Sequence, residues 1–204
     1  MISRRALALG LLSLSAAGAA RAENSPSAPI LALNTGLQIV MHLGHARPFD
    51  DRMRALTPVV LATFNLPLIL QNSVSPAKWS TIAPAQQAEL LDVFTQFTVA
   101  SYVANFDAFN GERFEITPER RHVGKDVIVP TRIVPTTGDA TRLDYVMREF
   151  GGTWQVVDIL LNGSISRVAV TRSDFRSMLT NMDATSLIGS LRDKVAAFAA
   201  DATN

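Results

Sequence analysis

The sequence predicts an α+β fold in which helices come first, a small antiparallel sheet follows, and helices close the chain. Three observations carry this. Apolar residues recur at threes and fours from Ile30 to about Phe109, and again from Ile165 onward. Between these stretches lie four runs rich in β-branched and aromatic residues: 112–117, 126–134, 141–150 and 153–161. Thr137-Gly138-Asp139 and Gly151-Gly152 punctuate the runs as hairpin turns do, giving an antiparallel meander of about four strands.

The chain of 204 residues opens on a basic pentapeptide, MISRR, then the short apolar run ALALGLLSLSAAGAA, then Ala20-Arg21-Ala22. This is the pattern of a secretory signal peptide over residues 1–22, cleaved after Ala22, and the apolar run is short for a membrane span. Ser3-Arg4-Arg5 followed by Leu7 also partly matches a twin-arginine signal, so either export route is open. Residues 23–204 are expected to form a single domain, with 23–29 a flexible lead-in. With 48% hydrophobic and 18% charged residues, that domain has the material for a large core. It must stand without disulfides, because the chain has no cysteine.

Removing residues 1–22 takes basic residues from 19 to 16 against 18 acids, a net charge of −2. The apparent basicity belongs to the export signal. No polybasic surface is left, which argues against nucleic acid as a partner.

The elements follow in order. Leu33, Leu37, Val40 and Met41 share a helical face that Gly44 ends. Phe49, Met53, Leu56, Val60 and Phe64 continue the pattern, with Thr57-Pro58 reading as a break between two helices meeting at an angle. Asn65-Leu66-Pro67, Ser75-Pro76 and Ala83-Pro84 are further helix starts. The helix from Pro84 to about Phe109 is the longest, and its stretch 93–106 carries no charge, so it should be buried on most sides. Pro130 within the second run suggests an edge strand or a bulge. The third run alternates, with Leu143, Tyr145 and Met147 opposing Arg142, Asp144 and Arg148. The fourth does not. Trp154, Val156 and Leu160 would face one way with Asp158 among them, and Val157, Ile159 and Leu161 the other. One C-terminal helix carries Ile165, Val168, Phe175 and Leu179. Another, capped near Asp183, carries Leu187, Ile188, Leu191, Val195 and Phe198.

Little in the sequence speaks for catalysis. His42 and His45 have a ligand-like spacing but no marked third ligand, and read as solvated helix residues; His122 reads as a loop residue. No nucleophile elbow, phosphate-cradling glycine loop or zinc pair is present, and no metal or cofactor is implied. Asp158 is the one acid inside an apolar strand. It is either paired or hydrogen-bonded to backbone, or a general acid or base with a raised pKa. Arg172 falls on the apolar face of its helix. Its head either pairs with Asp158 or Asp174, or contacts a ligand head group at a pocket mouth. The excess of apolar surface, including a charge-free stretch from Ala55 to Ala77, means either a thick core or an internal cavity for a greasy ligand.

The stretch WQVVDILLNGSISRVAVTRSDFRSML, with SLIGSLRDKVAAF after it, resembles the MlaC family of periplasmic phospholipid-binding proteins, and within it the hopanoid-associated HpnM branch. Trp154, Asp158, Gly163, Ser166, Arg172 and Phe175 carry the resemblance, and the Gly163–Arg172 spacing is the HpnM-like feature. FNLPLI with Trp79, and FTQFTVASYVANFDAFNGERFEI, fit the same pattern upstream. Asn65 stands where relatives often carry an acid.

The resemblance implies a nuclear-transport-factor-like cone with extra helices, enclosing an apolar cavity for lipid tails. It implies no catalysis. It implies a phospholipid or hopanoid ligand, shuttled as the substrate-binding component of a transport system with transient inner- and outer-membrane partners. The wall residues expected on this reading are Phe97, Val99, Val103 and Phe106 from the long helix, and Leu143, Tyr145, Met147, Val157, Ile159 and Leu161 from the sheet. Ile165 and Phe175 would close one end, and Arg172 would meet the head group. An enzyme on the same cone, using Asp158, and an assembly module with a filled core are the rival readings.

Overall fold

The structure, a computed structural model, describes residues 25–179 and 183–202; the expected signal peptide lies outside them. Helix α1 (Ala28–Leu43) begins within the expected lead-in, with Pro29 in its first turn, and Gly44 ends it at φ 49°. A 3₁₀ turn (Gly44–Ala46) leads to α2 (Phe49–Thr63). This is one helix, not two. Pro58 sits inside it on the exposed side, so the Arg54 carbonyl that loses its partner faces water. Then come α3 (Leu66–Val74), the single turn α4 (Pro76–Trp79) and the long α5 (Pro84–Asn105), which stops short of Phe109.

The sheet is open, curved and antiparallel, in the order β1-β3-β4-β5-β6, with β2 also on β3. Its strands are β1 (Arg113–Ile116), β2 (Arg121–Val123), β3 (Asp126–Val134), β4 (Thr141–Phe150), β5 (Thr153–Leu161) and β6 (Ile165–Ser166). Two of the six were not expected. His122 lies in β2 rather than a loop, and Ile165 in β6 rather than a helix. Pro130 is in a central strand, yet breaks no ladder. Its carbonyl accepts from Thr117 N at 3.0 Å, so its missing N–H points to the same side, into the gap between β1 and β2.

Pairing explains why β5 does not alternate. Val146 pairs with Asp158 but Met147 pairs with Val156, leaving Val157 as an extra residue, a β-bulge. The bulge resets the phase of the strand. Ile159 and Leu161 lie opposite Tyr145 and Leu143; beyond the bulge Val156 lies opposite Met147, on the same face. Val156 therefore joins Ile159 and Leu161 on one inner face, correcting the two-faced reading of the sequence. The outer face is ionic. Asp144 is fully buried beneath a two-point contact from Arg142 (2.8 and 2.8 Å) and a third from Arg121 (3.2 Å), and Asp126 pairs with Arg148 (2.6 and 2.8 Å).

The corner between α2 and α3 docks at the bulge. Asn65 N donates to the Val156 carbonyl at 3.0 Å. The Asn65 side chain caps α3 through Leu68 N (3.1 Å) and donates to Gln155 Oε1 (3.0 Å). An acid here could cap but not donate.

At the other end of β5, Asn162 (φ 51°) and Gly163 (φ 76°) turn the chain into β6. The positive φ is what requires glycine at 163, and a Cβ there would also press on the Arg142 guanidinium, 2.9 Å away at Cζ. Helix α6 (Arg167–Arg176) follows directly, and α7 (Thr185–Asp201) then packs over α5. The core runs from Ile30, Leu33 and Leu37 of α1 through Leu56 and Val60 of α2, and Leu90, Val93 and Val103 of α5, to the inner face of the sheet.

Candidate functional site

A cavity of about 330 Å³ opens between α5, α3, α6 and the β4–β5 end of the sheet. Its long wall is one face of α5: Phe94, Phe97, Thr98, Ser101, Tyr102 and Asn105, with Phe106 just beyond. From Phe94 to Phe106 this wall is ~18 Å long at about 1.5 Å per residue, a trough rather than a round pocket. Phe64, Leu66, Ile69 and Ser73 form a second side, Leu143, Ile159 and Leu161 the sheet side, and Arg167, Val168 and Thr171 the α6 side. Neighbouring rings stiffen the wall: Tyr102 lies 5.7 Å from Phe64 and 6.1 Å from Phe106, and Phe106 lies 5.9 Å from Phe114.

The trough is graded in burial. Phe64, Leu66, Phe94 and Ser73 are buried at its deep side, Phe97, Leu143 and Ile159 are half-buried, and Asn105 and Arg167 are exposed at its rim. One hydroxyl of the wall is spent locally, Thr98 Oγ1 donating to the Phe94 carbonyl at 2.8 Å. Ser73 Oγ is enclosed without a partner. The Tyr102 phenol also lacks a hydrogen bond among the described residues. Burial pushes it far above its ordinary value, the Tyr145 phenol adds to this, and the Arg167 charge opposes it.

Of the wall residues expected from sequence, Phe97, Phe106, Leu143, Ile159 and Leu161 border this cavity. Val99 and Val103 do not. They lie on the other side of α5, essentially inaccessible within the core, because two residues along a helix are ~200° apart. Tyr145 and Met147 are packed under the helices deeper along the sheet. Val157, displaced by the bulge, is buried beside Val146, Val168 and Arg172 in a separate polar cleft. Ile165 is on the surface. Phe175 backs the wall, meeting Phe94 edge-on at 6.4 Å.

Arg172 pairs with neither Asp158 nor Asp174. Its Nε donates to the Asn72 carbonyl at 2.7 Å, tying α6 to α3, and it does not border the cavity. Asp158 borders the cavity, but its oxygens are occupied. They accept from Ser166 Oγ (2.5 Å), Val168 N (3.0 Å) and Ile159 N (2.7 Å). Ser166 Oγ in turn accepts from Ala169 N at 3.0 Å. Together they cap α6, a structural use of the carboxylate.

The lining residues not anticipated include Phe64, Leu66, Ile69, Phe94, Thr98, Tyr102 and Arg167. A signal for the α5 set was available: Phe94, Thr98, Tyr102 and Phe106 recur by fours in a helix with no charge between 93 and 105. The arrangement is a largely apolar trough with a polar rim, and among the described residues no nucleophile paired with a base borders it.

A protein-family model described as "MlaC protein" matches residues 40–193. Among solved structures, the chain is similar to the phospholipid-binding protein from Ralstonia solanacearum, determined in complex with a phospholipid. The TM-score is 0.72 at 17% identity, covering 86% of this chain and 99% of that one, a likeness of fold. No curated protein matches the chain.

Proposed function

The chain belongs to the MlaC protein family, and from that premise we propose that it is a soluble periplasmic carrier holding lipid tails in the trough beneath α5. One observation carries the reading: an apolar cavity of about 330 Å³ inside a fold shared with a protein solved around a phospholipid. The volume falls at the lower end of the ~300–1,000 Å³ range of ligand pockets, and its long dimension suits a tail.

The energetics fit a carrier. A sixteen-carbon tail in water costs on the order of 12 kcal/mol at about 0.8 kcal/mol per methylene. A protein that moves it between membranes needs a comparably dry interior and little more, since an exchange near balance permits delivery. Apolar volume meets that need without acid–base groups.

Export by the signal at residues 1–22 brings the domain to the periplasm, where it acts as the substrate-binding component of a lipid transport system with transient membrane partners. The ligand is a phospholipid, or a hopanoid as in the HpnM-like branch. Solvent extraction and mass spectrometry of the purified mature protein test this directly. Co-purified lipid in near-stoichiometric amount is expected; a lipid-free protein that takes none from vesicles would end the proposal.

A further inference from the structure

We propose that Arg167 binds the anionic phosphate of the carried lipid at the mouth of the trough, and so selects a phosphate-bearing lipid over a neutral one. This rests on the lipid-carrier reading above and narrows it.

Arg167 is the one arginine bordering the cavity among the described residues. It has no ion pair and no hydrogen bond there. Four arginines nearby are engaged elsewhere: Arg142 and Arg121 hold Asp144, Arg148 holds Asp126, and Arg172 holds the Asn72 carbonyl. An uncommitted guanidinium at the lip of an apolar trough presents a planar fork of donors that matches phosphate oxygens.

Position fixes which part of a ligand it meets. Arg167 and Asn105 are the exposed lining residues, whereas Phe64, Leu66 and Phe94 are buried. A lipid with its tails in the buried part leaves its polar end at Arg167. Further in, the unpartnered Ser73 hydroxyl and the Tyr102 phenol are neutral donors placed for ester oxygens.

The neighbouring acid does not claim the arginine. Asp158 is held by Ser166, Val168 N and Ile159 N, and no arginine lies within ion-pair distance of it among the described residues. The same contacts use up the Val168 and Ala169 N–H groups at the start of α6. The guanidinium is therefore the charged donor left at the rim for an anion.

The test uses the mature protein, its R167Q variant and its R167K variant. Each is incubated with vesicles containing phosphatidylglycerol or, in place of it, diacylglycerol with the same tails, then re-isolated and its lipid quantified. R167Q should retain about tenfold less phosphatidylglycerol, the scale of one charge-assisted contact at a partly hydrated rim, with diacylglycerol unchanged. R167K should keep most of the phosphatidylglycerol. Equal retention by wild type and R167Q, or parallel loss of both lipids, would overturn the assignment. Uptake of neither lipid by the wild type would instead count against the carrier reading itself. Inorganic phosphate is the control for a free anion: phosphate binding lost in R167Q while phosphatidylglycerol retention is unchanged would also overturn it.

Discussion

Filling the trough separates a binding cavity from an ordinary core more sharply than emptying it. Ser101 is half-buried on the lining face of α5, with a small side chain whose loss removes only a 3.4 Å contact from Asn105. Ser101→Phe would project a ring into the space. Burying part of a phenylalanine there stabilises by ~1–2 kcal/mol, toward the low end of the scale for a fully buried side chain. For a domain of this size that raises Tm of the lipid-free protein by about 2–8 °C. The same ring displaces about four methylenes of a tail, and at ~0.8 kcal/mol each the bound lipid loses ~3 kcal/mol. Affinity should fall by more than about a hundredfold. The assay pairs a calorimetric melt of delipidated protein with mass spectrometry of lipid recovered from vesicles. Opposite signs, stability up and lipid down, are expected. A variant that melts lower yet keeps its lipid would refute the reasoning, because it would mean that α5 packs against a filled core at Ser101.

Four further outcomes follow from the same geometry. Ile159→Asp, on the wall, should fold but lose lipid, since solvent reaches the empty trough, whereas Val103→Asp, sealed in the core, should not fold; circular dichroism and lipid recovery distinguish them. Asp158→Asn should lower stability by ~1–3 kcal/mol, seen as a shifted urea midpoint, because an amide oxygen cannot accept from Ser166 Oγ as well as from the Ile159 and Val168 N–H groups. Arg52 is buried, 5.8 Å from the Phe49 ring centroid, with Nε and Nη1 unpartnered among the described residues, so Arg52→Met should be neutral or stabilising by up to ~4 kcal/mol in the same titration. Hydrogen bonds from Thr185 and Gln86 hold the Asp183 carboxyl below the usual carboxylate range. Its stabilising effect on the start of α7 is therefore complete above the ordinary carboxylate pKa and lost as pH falls through the lowered value, which hydrogen exchange at Ile188 and its neighbours should follow.

How much of this was legible in the sequence depended on whether a single residue could change the outcome. The long strands have the bounds that the alternation and turns indicated, 126–134, 141–150 and 153–161. The helix starts at Pro76 and Pro84 were equally plain, since proline in a first turn loses no hydrogen bond. The bulge at Val157 was not legible. One inserted valine has no compositional signature, and its effect, an apparent second apolar face, imitates a strand buried on both sides. Pro58 misled for a related reason, because whether a helix tolerates proline depends on which side faces water. Strands β2 and β6 are too short to show periodicity.

The site was legible as a region and not as a set of residues. The uncharged run of α5 is apolar toward the core at Val99 and Val103 and toward the trough at Phe94, Phe97 and Phe106. Sequence alone does not say which apolar side chain meets protein and which meets a void. Arg172 and Arg167 differ by five residues and both suit a rim. Only the position of the Asn72 carbonyl ties up the first and leaves the second free.

The most direct test of hydrocarbon lying beneath α5 is photo-crosslinking with a phospholipid carrying a diazirine near the end of one tail, followed by peptide mapping. Adducts confined to residues 64–73, 94–106 and 159–161 are the expected result. Adducts on the outer face of the sheet, at Val146 or Arg148, or none in a protein that still carries lipid, would contradict it.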